Sequence, residues 1–315
     1  MKRIRAHFAD LAGGALVFIS AVGFSAKAVF AKLAYAQGAS AVTVLFLRML
    51  FSIPFLLLLA RVGKKNSYAP SRKDWFKIIV SGIVGYYLAS ILDFEGLQYV
   101  SAGLERLILF TYPTIVLLFG YLFAGRKIRP IDVFALVLAY AGIGVVFVEE
   151  AGGLQKDVVI GGLLVFGCSI AYSVYLTLGG HMISKIGPER FTAFAMSLSA
   201  AAVGVHFALT SSPTDALQQP SLVYIHALLM AVLSTVLPAY LLSRGIEKIG
   251  AERASIIGTV GPVSTIFLAA IFLGEKIGLS QIAGTVLVLA GVTLVTGGKK
   301  RVEETEALPE TVEKM

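Results

Sequence analysis

The chain has 315 residues, 57% of them hydrophobic and 15% charged, with a net charge of +8. Soluble domains run at roughly 45–50% apolar and 25% charged, so this composition exceeds what a single soluble core can bury. The one cysteine, Cys168, excludes a disulfide framework.

Most of the sequence falls into apolar blocks, and about 20 apolar residues cross a bilayer as helix. Lys2, Arg3 and Arg5 precede the first block as they would in a signal peptide. The block runs on without a cleavage site, which predicts an uncleaved first span. In chain order the expected spans are 11–34, 40–59, 76–97, 103–123, 130–148, 159–179, 191–210, 221–242, 254–273 and 279–296. Gly38, Pro130, Gly152 with Gly153, Gly187 with Pro188, Pro220, and Gly297 with Gly298 mark the joints between them. Beyond Val302 the chain is acidic, contains Pro309 and has no apolar face, which predicts a disordered tail.

Ten spans place both termini on one side of the membrane. Loops on that side carry 21 of the 27 Lys and Arg, whereas the other side holds Lys32, Arg106, Lys156 and Lys276. This asymmetry predicts cytoplasmic termini in a plasma or inner membrane, and it reads the basic surplus as orientation signal rather than nucleic-acid binding.

A shift of 149 positions superposes the two halves without a gap. Gly96 falls on Gly245, Ala102 on Ala251, Pro113 on Pro262, Phe123 on Phe272 and Gly125 on Gly274. Lys127 meets Lys276, Ala141–Gly142 meets Ala290–Gly291, and Gly38 meets Gly187. Coincident Pro, Gly and Lys in one register point to duplication. Each half holds five spans, an odd number, so the second half starts on the opposite side. The expected fold is therefore all-α and polytopic, with two inverted repeats at 11–150 and 155–297. Residues 1–10 form a cytoplasmic N-terminus and 298–315 a disordered cytoplasmic tail. Inverted repeats recur in secondary transporters, with the substrate site at the midplane between them.

The chain resembles the EamA family of ten-helix carriers in the drug/metabolite transporter superfamily. The resemblance rests on Phe46-Leu47-Arg48, the stretch 96–102 (GLQYVSA), Tyr112-Pro113-Thr114, Gly274-Glu275-Lys276 and Leu289-Ala290-Gly291-Val292. It implies efflux or exchange of small metabolites, often amino acids or related compounds, by alternating access. The chain departs from the family pattern at Gly125-Arg126-Lys127, where a Gly-Glu pair is usual. It departs again at the charged Asp93, Glu95, Glu105 and Arg106, where many members are apolar or small.

Ionisable side chains inside a bilayer cost roughly 2.5–3.5 kcal/mol each on insertion scales unless paired or hydrated. Six are expected in the outer half of the membrane: Lys27, Arg48, Asp93, Glu95, Glu105 and Arg106. Lys27 and Arg48 are read as holding a substrate carboxylate. Tyr86, Ser90 and Asp93 share one helical face, which makes Asp93 the expected cavity carboxylate for an amine or a coupling proton. Glu95, Glu105 and Arg106 are read as structural ion pairs. Tyr112, Tyr172, Tyr175 and Ser234 are expected to line the chamber, and Pro113, Pro238 and Pro262 to bend their helices.

Nothing in the sequence carries a Walker A loop, a metal-ligand cluster or a hydrolase motif, so no enzyme, metal or cofactor is expected. The expected protein is a secondary carrier that exports a small polar metabolite, amino-acid-like or an organic anion. It would sit in the bilayer as a monomer or homodimer, with proton coupling an open option and a non-transporting scaffold or sensor as the alternative.

Overall fold

The computed structural model describes residues 2–62, 70–124, 130–151, 156–258 and 260–306. The expected basic loop positions Lys64, Lys65, Arg126, Lys127 and Arg129, the joint at Gly152 and Gly153, and the tail from residue 307 lie outside them.

The described residues are all-helical, without a strand. Helix α1 spans Lys2–Tyr35 and α2 spans Ala41–Val62. A third long helix, Arg72–Gly96, consists of α3 (Arg72–Val80), a π-helical stretch Ser81–Leu88, and α4 (Ala89–Gly96). Then come α5 (Ala102–Leu109), α6 (Tyr112–Ala124), α7 (Pro130–Ala151), α8 (Lys156–Ile186), α9 (Pro188–Thr210) and a short α10 (Pro213–Leu217). Helix α11 (Ser221–Ala231) passes through a second π-helical stretch, Val232–Val236, into α12 (Leu237–Gly258). Helices α13 (Val260–Leu273) and α14 (Leu279–Glu306) complete the chain.

Eight of the described helices are long and apolar enough to cross a membrane, and two further apolar helices, Val260–Leu273 and Leu279–Leu294, are shorter. Their faces read outward as lipid-facing: Phe123, Val137, Leu209 and Ile271 are among many large apolar side chains left exposed. A polytopic helical membrane protein accounts for that surface, because lipid replaces the solvent that would penalise it.

Two expectations change. The loop bearing Arg244, Lys248 and Arg253 between the eighth and ninth spans is instead helix, since α12 continues to Gly258. No proline stands between Ala239 and Gly261 to stop the helix, and a glycine inside it costs only about 1 kcal/mol. Gly245 also lets α12 press against α1: a Cβ there would lie 3.2 Å from the Gly13 carbonyl oxygen. The tail differs in the same way. Helix α14 runs through Gly297 and Gly298 to Glu306, because glycine weakens a helix without ending it and the next proline is Pro309.

The helices pack across the halves. Helix α1 lies against α11, α12 and α13, while α8 lies against the long helix Arg72–Gly96 and against α5 and α6. Helix α2 packs on α9, and α7 on α14. Gly38 and Gly187, which coincide under the 149-residue shift, both take left-handed backbone with φ of 87° and 85°. Only glycine enters that region freely, so each turn at the end of the first helix of a half depends on it.

Candidate functional site

The centre of the molecule is built from interrupted helices. Pro113 lacks an N–H and cannot continue a ladder, and the chain breaks between α5 and α6 at Phe110 and Thr111. The carbonyls left over need partners in an apolar bundle. Ser169 Oγ on α8 donates to those of Ile108 and Leu109 at 3.1 and 3.3 Å, and Ser173 Oγ donates to that of Tyr112 at 3.2 Å. In the second half Ser25 Oγ on α1 donates to the carbonyl of Gly261, next to Pro262, at 2.8 Å. Ser20 Oγ donates to the carbonyl of Pro238 at 2.7 Å. The carbonyl just before the mid-helix proline is thus served, in each half, by a serine from the first helix of the other.

The two π-helical stretches complete the frame. Under the 149-residue shift Ser81–Leu88 overlaps Val232–Val236. A π-turn widens the helix and leaves carbonyls for other donors; Thr235 Oγ1 takes that of Met230, five residues back, at 2.9 Å.

Between these elements lies a cavity of about 250 Å³. Lys27, Arg48, Tyr86, Ser90, Asp93, Tyr112, Tyr172 and Ser234, all expected from sequence, line it. Tyr175 stands behind the wall, its ring edge-on to Tyr86 at 4.8 Å and stacked on Tyr172 at 5.8 Å. Tyr112 meets Tyr172 edge-on at 5.3 Å, so the four tyrosines form one connected aromatic wall.

The charges are distributed differently from the expectation. Lys27 Nζ pairs with Asp93 Oδ2 and, at 3.1 Å, with Glu105 Oε1, which makes it the counter-ion of two buried carboxylates rather than a free cation. The Glu105 side chain is 0% exposed, and among the described residues Asp93 Oδ1 and Glu105 Oε2 have no hydrogen-bond partner. Arg106, read as a member of a structural ion pair, forms none among the described residues. Adjacent positions on a helix point about 100° apart, so the two side chains part company. Arg106 turns into the cavity instead, with Nε donating to Thr265 Oγ1 at 3.1 Å and Nη2 reaching Ser25 Oγ at 3.5 Å. Arg48 is held in the same manner, with Nε donating to Thr235 Oγ1 at 3.0 Å and its guanidinium 5.3 Å from the centre of the Phe94 ring. Glu95, the other expected ion-pair member, accepts from Gln98 Nε2 at 2.7 Å in the exposed turn after α4. Thr265 and Ser25 carried no sequence signal, since single hydroxyls inside apolar helices are ordinary packing residues.

One end of the bundle is held together by hydrogen bonds around the start of α5. The N-terminus of α5 is capped by Ser101 Oγ, which accepts from Leu104 N at 3.0 Å. Glu150, at the end of α7, accepts from Ser101 N and Oγ, both at 2.5 Å. Glu275, after α13, accepts from Ala102 N at 2.9 Å and Gly103 N at 3.4 Å. Two carboxylates from different halves therefore sit on the positive end of one short helix. At the other end the cavity wall reaches Val17, Leu242 and Gly258.

The model of the EamA-like transporter family matches the chain twice, over residues 11–148 and 159–297. The uncharacterized transporter YcbK of Bacillus subtilis (strain 168) is 34% identical over 279 residues, which cover 87% of this chain and 89% of that protein. The uncharacterized transporter YyaM of the same organism is 26% identical over 248 residues, 78% of this chain and 80% of that one. A crystal structure with 18% identity superposes with a TM-score of 0.61 over 90% of this chain and 98% of its own, a likeness of fold alone. The chain is a multi-pass membrane protein that belongs to the EamA-like transporter family.

Proposed function

We propose that this chain is a secondary carrier that moves a small organic metabolite outward across the plasma membrane by alternating access. Its architecture is two inverted five-helix repeats with both termini in the cytoplasm. The observation that carries the reading is the pattern of packing. Exchanging the halves turns the contact of α1 with α11 and α12 into that of α8 with the Arg72–Gly96 helix. It also turns the contact of α1 with α13 into that of α8 with α5 and α6, and leaves α2 on α9 and α7 on α14 unchanged. A pseudo-two-fold of this kind offers two equivalent packings around one central site, which is what alternating access requires. The shared π-helical stretches, and serines from the opposite half on the carbonyls before Pro113 and Pro262, support hinges at matching places in both halves. The Glu150 and Glu275 contacts at Ser101 to Gly103 support a state sealed at that end.

The charged group supports proton coupling. Asp93 and Glu105 share one ammonium, so a proton can join or leave the pair without creating a second unbalanced buried charge. Their unpartnered oxygens, Oδ1 and Oε2, are where it would bind.

The test uses Ser90→Cys on a Cys168→Ser background in right-side-out and inside-out vesicles. A carrier predicts thiol labelling from both faces, with each face protected when the opposite state is favoured. Labelling from one face only, or none, together with no counterflow of metabolites in proteoliposomes, would leave a scaffold or sensor.

A further inference from the structure

We propose that Arg48, Arg106 and Ser234 form the receptor for the carboxylate of a net-anionic organic acid with an aromatic body. The inference rests on the carrier reading above and names the substrate class of its cavity.

Charge balance comes first. Lys27, Arg48 and Arg106 face the cavity or its wall against the two carboxylates Asp93 and Glu105, which leaves one positive charge unopposed. Lys27 is already engaged by both carboxylates, so the surplus resides on the guanidinium groups. Neither forms an ion pair among the described residues. Each is buried, Arg48 at 6% and Arg106 at 8% exposure, a costly state for a cation that has no anion.

The geometry comes second. Each arginine is anchored through Nε to a threonine of the opposite half, Thr235 for Arg48 and Thr265 for Arg106, and Arg106 Nη2 also reaches Ser25 Oγ at 3.5 Å. An Nε anchor sets the plane of the guanidinium and leaves terminal N–H groups to meet a carboxylate in a forked contact, a geometry Lys cannot reproduce. Ser234, on the second π-helical stretch, lines the same cavity, is 1% exposed and has no partner for its Oγ among the described residues. It is a third group waiting for a polar ligand. The rest of the wall is flat and apolar, from Phe24, Phe110, Tyr112 and Tyr172. A substrate ammonium, by contrast, would have to displace Lys27 from the carboxylates it already serves. A zwitterion would also leave the surplus positive charge unopposed.

The experiment uses full-length protein in nanodiscs and three probes on one carbon skeleton: 3-phenylpropionate, phenylalanine and phenethylamine. 3-Phenylpropionate is expected to bind at least about fivefold tighter than phenylalanine, with phenethylamine not binding. R48Q and R106Q should each weaken it about tenfold or more, R48K and R106K should recover only part of that, and S234A should lose about threefold. Should a glutamine variant fail to give monodisperse protein, the lysine variants and T265V decide in its place. Equal or tighter binding of phenylalanine or phenethylamine, no binding of any probe, or unchanged affinity in folded arginine variants overturns the proposal. Binding of the acid without its movement in proteoliposomes would overturn the carrier reading and leave the receptor standing. Transport of a zwitterion or cation would do the reverse.

Discussion

The two halves share one register and differ at one turn. Gly96 and Gly245 coincide under the 149-residue shift, yet Gly96 ends α4 whereas Gly245 lies inside α12. Five residues later the first half has Ser101 and the second has Gly250. Ser101 caps α5 and is held by Glu150; a glycine offers no side chain for either contact, and the second helix runs straight through. The same inequality holds for charge. Lys27, Arg48, Asp93, Glu105 and Arg106 all belong to the first half, while the second half supplies the hydroxyls of Thr235, Thr265 and Ser234 that steady or complete them. The first half thus carries the charged chemistry of the site, and the second supplies hydroxyls that support it.

The sharpest way to break the asymmetry is to remove its central cation. Lys27→Met leaves two buried carboxylates without a counter-ion and is expected to cost about 3–5 kcal/mol of stability. The loss is read as a lower detergent-melting temperature. Adding Asp93→Asn and Glu105→Gln should restore most of it. A single Lys27→Met variant as stable as the parent would mean that the three groups do not form one electrostatic unit.

Ser101→Ala makes the first half resemble the second at the turn that separates them. Loss of the cap and of the Glu150 bond should cost about 1–2 kcal/mol, measured by chemical denaturation in mild detergent. An unchanged midpoint would show that Ser101 does not decide where α4 ends.

Glu275→Gln weakens the contact between the second half and the N-terminus of α5. The expected cost is smaller, about 0.5–1 kcal/mol, and it should appear as increased labelling of a cysteine placed at Ser90 from the Ser101 side. The smallest effect belongs to Glu95→Gln. Glu95 accepts from Gln98 at the exposed turn, so stability should stay within about 0.5 kcal/mol of the parent. A large loss there would return Glu95 to the ion-pair role that the sequence suggested.

Much of the site could be read from sequence because charges inside apolar blocks are conspicuous. Lys27, Arg48, Asp93, Glu105 and Arg106 stood out for that reason. Their pairing could not be read. Whether Lys27 serves a substrate or Asp93 and Glu105 depends on how α1 approaches α4 and α5, and no spacing within one helix specifies that distance. Glu105 and Arg106 carry opposite charges, but as successive helical positions they diverge, and no sequence spacing shows which helix each one meets. The π-helical stretches left no trace either, since Ser81–Leu88 has the composition of any membrane helix.

By itself the sequence determined the membrane class and the family, which matches the chain twice, since hydropathy and short motifs are local properties that survive without coordinates. It also marked where the helices would be interrupted, as Pro113 shows at the break between α5 and α6. The tertiary structure alone decided which half supplies each partner, which cations remain without an ion pair among the described residues, and that helix continues through Arg244 to Arg253. Those outcomes depend on which helix lies beside which across the bundle, because in an apolar medium a buried polar group takes its partner from whatever neighbour the packing brings.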